Sequence, residues 1–243
     1  MAERRIAGNQ ATGFLKVAAL VFMLCDHLGK MVFPNIPEMR MLGRIAFPLY
    51  AWCLVVGFCY TRSVPKYMLR LLLVGLVSQP LYMLALNHTW REPNIFLTLL
   101  LALGGLWGMR EKRWLSQLWA PALALTLAVA LRCDYGWRGV ALIWMLYAAR
   151  TSRPALAAVM AAFCLYWGTS SSAVNALFGL SLHVPGAILP TLLQPWLRLQ
   201  ALAILALPLI LWRCPIRWKI PSWLGYALYP AHLLLIILLV TIM

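Results

Sequence analysis

The chemistry this chain could perform is concentrated in two adjacent residues, Asp26 and His27, inside the apolar run KVAALVFMLCDHLGKMVF. That run is otherwise fit to cross a bilayer. An ionisable side chain at membrane depth costs about 2.5–3.5 kcal/mol on insertion scales, so it faces protein or water and commonly marks a functional site. A neutral imidazole in a low-dielectric pocket is a good general base, because burial opposes its charging while a nearby carboxylate favours it. At 3.6 residues per turn, neighbouring residues differ by about 100° around a helix, so Asp26 and His27 do not point the same way. Asp26 can reach the imidazole through a partner or a kink, or it can pair with Arg44 instead. Arg44 could equally offer its forked donors to a carbonyl oxygen or a phosphate. The plain structural alternative is a buried Asp–Arg pair with His27 hydrogen-bonded beside it.

The rest of the chain must place these groups. Of 243 residues, 63% are hydrophobic and only 11% are charged, too few charges to wet the surface of a soluble domain. Long apolar runs recur along the whole length and strand-like alternation is missing, so the expected fold is all-α: one polytopic integral membrane helical bundle occupying residues 1–243. Candidate spans lie near 14–33, 41–61, 66–86, 94–109, 117–131, 136–149, 154–169, 199–212 and 222–241, about nine in a range of 9–11. The segment 170–198 carries Ser170, Ser171, Ser172, His183, Pro185, Pro190 and Pro195. Its prolines break regular helix, and it is expected to be irregular or re-entrant. The first run has no convincing small-residue cleavage site and is expected to remain as an uncleaved helix.

The net charge of +15 would suggest nucleic acid in a soluble protein. Here the basic residues cluster at the ends of apolar runs and lack an aromatic stacking platform, so the partner expected is membrane lipid and not nucleic acid. Nine spans with a cytoplasmic N-terminus put most of the 21 basic residues inside, among them Arg4, Arg62, Lys66, Arg70, Arg110, Lys112, Arg113, Arg217 and Lys219. A crossing by 170–198 weakens that bias. In this topology Asp26, His27, Arg44, Asn94, Asp134, Tyr135 and Arg138 come to one level in the outer half, from separated pieces of sequence.

Other candidates carry less weight alone. Gly43, Gly57, Gly136 and Gly139 suit close helix packing, and Pro48 bends the second span near Arg44. His232 is either a second site residue or a core histidine, and His88 is expected to be a solvated loop residue. The three serines lack the setting of a nucleophile elbow. The six cysteines form no CxxC pair and are expected as apolar packing residues. No histidine pair has zinc-ligand spacing with a carboxylate, so no metal is expected.

The ordered stretches KVAALVFMLCDHLG, GRIAFPLYAWCLVVG, PNIFLTLLLAL, DYGWRGVALIWML and YPAHLLLIILL resemble the TraX family, from Lys16 to the C-terminus. The DH pair and GR-x-x-FP are the most specific elements. TraX-type proteins are associated with N-terminal acetylation of conjugative pilin. They look like distant members of a transmembrane acyltransferase group that passes acyl units from cytoplasmic acyl-CoA to acceptors beyond the membrane. The resemblance implies a catalytic His27 supported by Asp26 and Arg44. It also implies motif roles for Asn94, Asp134, Tyr135, Gly136, Tyr229 and His232, of which all but Gly136 are taken here as substrate-binding.

On that basis the expected activity is an acyl-CoA-dependent acetyltransferase, N- or O-, of the bacterial plasma membrane. Acetyl-CoA would be the donor, docking at the inner face on Arg62, Lys66, Arg70, Arg110 and Arg113, and the acceptor a peptide, glycan or lipid at the outer face. The competing classes are a small transporter, which lacks an inverted repeat in its favour, and a non-catalytic assembly partner of a pilus or secretion machine. A membrane-bound O-acyltransferase of the His/Asn type fits less well, because its signatures are not evident.

Overall fold

A computed structural model describes residues 5–178, 180–181, 193–215 and 221–242. His183, Pro185 and Pro190 of the irregular segment lie outside the described residues, as do Arg4, Arg217 and Lys219 of the basic clusters. Among the described residues the regular structure is all-helical apart from one minimal hairpin. Its elements are α1 (Thr12–Met31), α2 (Pro37–Gly43), α3 (Ala46–Tyr60), α4 (Val64–Leu86), α5 (Ile95–Glu111), α6 (Ser116–Ala130), α7 (Gly136–Ala149) and α8 (Arg153–Gly168). After these come β1 (Ala176–Leu177), β2 (Leu180–Ser181), a 3-10 stretch Ala201–Ala206, α9 (Leu207–Leu211) and α10 (Ser222–Ile242).

Each expected span therefore contains helix. At 1.5 Å per residue, about 20 residues cross a 30 Å hydrocarbon core. Among the described residues, four helical stretches are long and apolar enough to do so: Thr12–Met31, Pro37–Tyr60, Val64–Leu86 and Trp223–Ile242. On α4 the leucines 69, 73, 76 and 84 with Val77 are exposed, an apolar stripe that suits lipid and would be costly in water.

Two departures from the expected spans bear on the site. The second span is two helices, broken at Arg44–Ile45. Pro48 accounts for this: it lacks an N–H, and its ring would meet the carbonyl of the residue four before it, Arg44. Pro48 therefore sits in the first turn of α3, where no donor is needed. The span expected at 199–212 opens as a 3-10 stretch and becomes α-helical only from Leu207.

The chain folds into two compact units interleaved in sequence. One comprises Met1–Ile6, Ala51–Ala148 and Lys219–Met243; the other comprises Ala7–Tyr50 and Ala149–Trp218. In the second unit α1 and α2 form a helical hairpin. Leu15, Ala19 and Met23, one turn apart, make the buried face of α1. Gly29 allows the close approach of α2, since a Cβ there would stand 2.7 Å from Met39 Cβ. Buried Asn9 ties the entering chain down, its amide donating to the Leu209 carbonyl at 3.0 Å and its backbone N–H to Ile210 at 2.6 Å. α8 packs on the 3-10 stretch, with Gly168 close against Ala201. Phe47 and Phe163 both meet the Trp167 ring edge-on, at 5.9 and 5.6 Å.

In the first unit α5 is the central helix, packed on α4 and α6, while α10 packs on α4. Gly105 lies against the Trp144 ring, whose Nε1 donates to the Ala102 carbonyl at 2.9 Å. Arg110 stacks its guanidinium over Phe58 at 4.5 Å, and Phe58 meets Tyr147 edge-on at 5.4 Å. The C-terminal ends of α3, α5 and α7 are thus at one end of this unit, as alternating helices require.

Candidate functional site

Asp26 is the hub of a polar corner in the α1–α2 unit. Its Oδ1 accepts from Arg40 Nε at 3.0 Å and from Arg44 Nη2. The carboxylate and the Arg44 side chain are 13% and 12% exposed, Arg40 33%. Arg40 and Arg44 are one turn apart, so the end of α2 presents both guanidiniums to the same carboxylate. Gly43 makes the approach possible: a Cβ there would overlap the Asp26 side chain. The glycine expected to serve helix packing thus packs against the ionised group itself.

Of the two sequence alternatives for Asp26, the pairing with Arg44 is present, joined by Arg40, which the sequence did not single out. Arg44 also stands at the break between α2 and α3, not inside a continuous second span, and its Nε donates to the Arg40 carbonyl at 3.3 Å. His27 lies one residue on from Asp26 on α1 and is half-buried.

A second residue that the sequence did not reveal completes the corner. Gln200 Oε1 accepts from Arg44 Nη1 at 3.5 Å. Its backbone N–H donates to Ser171 Oγ at 3.1 Å, and Arg198 Nη1 donates to the Ser171 carbonyl at 3.0 Å. The hydroxyls of Ser170 and Ser171 donate to the Trp167 and Gly168 carbonyls at 3.1 and 2.9 Å. The serines expected to be non-nucleophilic are thus bonded into the end of α8. A bridge pairs Ala173 with Arg198, β1 and β2 form a two-residue antiparallel hairpin, and the Phe178 N–H donates to Glu38. The described part of the irregular segment is in this way fixed to the polar corner at its base.

The other candidate residues belong to the α4–α7 unit and gather around the N-terminus of α5. Asn94 is buried and caps that helix, its Oδ1 accepting from the Phe96 N–H at 3.0 Å. Its amide donates to the Gly75 carbonyl at 2.8 Å and its backbone N–H to Gln79 Oε1 at 2.9 Å. Gln79 in turn donates to the Glu92 carbonyl at 3.2 Å. Asn94, expected to bind substrate, is thereby engaged by backbone as a cap. The Asp134 carbonyl accepts from Thr98 Oγ1, and its N–H donates to the Pro93 carbonyl at 3.3 Å.

Tyr135 and Gly136 take left-handed backbone, φ 63° and 53°, in the turn that starts α7. Tyr229 is buried between Phe96 (4.8 Å) and His232 (5.0 Å), both edge-on. An apolar cleft of about 210 Å³ opens beside Asn94, lined by residues such as Leu72, Gln79, Trp90 and Leu97.

His88 departs from its expected solvated state. Its ring stacks on Tyr82 at 4.8 Å, and Nδ1 lies 3.4 Å from Glu92 Oε2. The Glu92 carboxyl is held below its ordinary pKa by the Thr89 backbone N–H first, then by the Thr89 hydroxyl and the His88 side chain. Burial pushes the Cys133 thiol up to about 11. Among the described residues, no three His, Cys, Asp or Glu side chains gather in a metal-binding group. Arg62, Lys66 and Arg70 lie in the α3–α4 turn and the start of α4, whose N-terminus is capped by Ser63. Arg110 and Arg113 lie at the α5–α6 turn.

An all-helical membrane protein with a charged corner beside its first long apolar helix is the class these features define. The profile of the TraX protein family matches residues 11–240, and the chain belongs to that family. It is similar to "Probable fimbrial assembly protein FimC, serogroup H1" of Dichelobacter nodosus, 32% identical over 136 residues, half of this chain and 55% of that protein. It is also similar to "Uncharacterized protein RP591" of Rickettsia prowazekii (strain Madrid E), 31% identical over 87 residues, 36% of this chain and 33% of that protein. No solved structure matches.

Proposed function

We propose that this protein is a membrane-embedded acyltransferase. It moves an acetyl or short acyl group from cytoplasmic acetyl-CoA to an amine or hydroxyl acceptor at the outer side of the membrane; the N-terminus of a pilin-like peptide is one such acceptor. The observation that supports this most is the Asp26 corner. A carboxylate gripped by Arg40 and Arg44 holds the end of α2 against α1 at the turn of helix that carries His27. An isolated ion pair at such depth adds little stability by itself. A rigid cationic corner beside an imidazole does suit acyl transfer, in which a base removes a proton while negative charge develops on a carbonyl oxygen.

In this mechanism the phosphates of CoA dock on the clusters Arg62/Lys66/Arg70 and Arg110/Lys112/Arg113. Arg110 over Phe58 brings the α5 terminus to the end of its unit where α3 closes and the Arg62 turn begins, so one inner face can carry both clusters. His27 accepts the proton of the acceptor amine or hydroxyl as that group attacks the thioester carbon, or carries the acetyl group briefly itself. The shorter helices cross where the bilayer thins or where neighbours shelter them, giving about nine spans with the N-terminus cytoplasmic.

A comparison of exported peptides, envelope glycans and lipids from cells with and without the protein tests this reading. One species that gains the mass of an acetyl group only when the protein is present identifies both reaction and acceptor. Identical spectra for all three pools would refute it.

A second reading takes support from the name of the D. nodosus relative, "Probable fimbrial assembly protein". A non-catalytic assembly partner would tolerate replacement of His27 while still supporting fimbriae, which the acyltransferase reading does not allow when acetylation is required for assembly.

A further inference from the structure

The polar corner contains one hydrogen-bonding group that the ion pairs leave unused. Gln200 is 7% exposed, and its Nε2 is buried with no hydrogen-bond partner among the described residues. Buried polar groups are nearly always satisfied, and an orphan in a folded protein calls for an explanation. The amide is not loosely placed. Its Oε1 is turned to Arg44 Nη1, and its backbone is fixed by Ser171 Oγ. The flanking chain is pinned by Leu199 N–H to the Ser172 carbonyl at 2.9 Å and by Val174 N–H to the Leu197 carbonyl at 2.8 Å. With Oε1 committed to the guanidinium, Nε2 is left as a donor held in position next to a second donor.

We infer that Gln200 Nε2 and the Arg44 guanidinium form a two-donor cradle for the carbonyl oxygen of the transferred acyl group. This rests on the acyltransferase reading and deepens it by naming a specific oxyanion site. The charge of the corner favours such an oxygen over a phosphate. Asp26 already offsets one of the two arginines, so the trio carries a single net positive charge, matched to an oxygen that gains one negative charge in the transition state. The acceptor nitrogen attacks the thioester carbon, the carbonyl electron pair moves onto the oxygen in the cradle, and His27 takes the proton released from nitrogen. As the carbon–sulfur bond breaks, the carbonyl re-forms and the proton passes from His27 to the departing thiolate, leaving an N-acetyl product and free CoA. It also gives the base of the irregular segment a role: Ser171 and Arg198 set the Gln200 backbone and thereby the donor.

The test uses the full-length protein in nanodiscs with S-acetonyl-CoA, a ketone analogue that cannot release its thiol, labelled with carbon-13 at the ketone. In the wild type the infrared carbonyl stretch of the bound analogue should fall below its value in water; in Gln200→Met or Gln200→Glu it should move back up. With acetyl-CoA, each folded variant should lose about 100-fold in kcat with little change in KM for the donor, the size expected for one oxyanion donor. A wild-type stretch equal to that in water, or a folded variant with wild-type kcat, overturns the cradle. If the wild type transfers acetyl groups and binds the analogue but the stretch is the same in both variants, only the cradle falls. If the wild type neither transfers acetyl groups nor binds the analogue, the acyltransferase reading falls and the cradle falls with it.

Discussion

The Asp26 corner and the Asn94 cap are both polar clusters among apolar helices, yet they are built on opposite plans. At the cap, side chains are answered by backbone: the Asn94 oxygen by the Phe96 N–H, its amide by the Gly75 carbonyl, the Gln79 amide by the Glu92 carbonyl. Such a cluster fixes where a helix starts and how two helices meet. At the corner, side chains answer side chains, one carboxylate against two guanidiniums, and the Gln200 amide retains a donor. The acyltransferase reading gives the first cluster a structural task and the second, with its spare donor, the substrate.

That contrast can be broken or sharpened by substitution, and the largest effect should come from removing its charge. Asp26→Ala leaves two cations facing each other without their shared anion. It should cost about 3 kcal/mol, the low end for breaking a buried pair, and abolish acetyl transfer, read by thermal unfolding in detergent and by turnover. Next is Gly43→Ala, whose Cβ would overlap the Asp26 side chain. It should cost about 1–3 kcal/mol by overpacking and lower turnover. Gly225→Ala, with open space at the Cβ position, should do neither.

At the cap, Asn94→Ala should cost about 1–2 kcal/mol and lower stability without altering the kcat of the molecules still folded. Asn94→Asp, which keeps the cap oxygen, should lose less. A change in kcat with either Asn94 variant at unchanged stability would erase the distinction between the two clusters.

The smallest effect concerns pH. The folded Glu92 carboxyl titrates below its ordinary value of 4.5, chiefly through the Thr89 N–H. Its contribution to stability is therefore full above the unfolded value and disappears as pH falls through the folded one. Wild-type Tm should decline over that acidic window, and Glu92→Gln should flatten this part of the profile. An unchanged profile would contradict the link, which is surface-exposed and correspondingly weak.

Much of this architecture was legible in the sequence because apolar runs of helical length have few other ways to satisfy their backbone in a membrane. The break near Arg44 was announced by Pro48, four residues later. The pairing of Asp26 with Arg44 was one of two open alternatives. Arg40 was readable in principle, since it lies one helical turn before Arg44 and shares its face. Asn94 carried the mark of a helix cap, a short amide immediately before an apolar run, a signal that was readable beside the chemical role expected of it. Gln200 had no such mark. It lies 156 residues from Arg44, beyond a stretch without periodicity, and only the folded chain brings the two together.

The proposed role of His27, one residue on from the carboxylate that Arg40 and Arg44 grip, is to act on an acyl group. Its most direct test incubates the purified full-length protein in nanodiscs with isotope-labelled acetyl-CoA and a mixture of amine- and hydroxyl-bearing peptides and glycans, wild type against His27→Ala, with products read by mass spectrometry. Labelled product is expected with the wild type and none with a His27→Ala variant that unfolds at the wild-type temperature. Equal labelling by the two proteins, or none by either across the acceptor mixture, would contradict it.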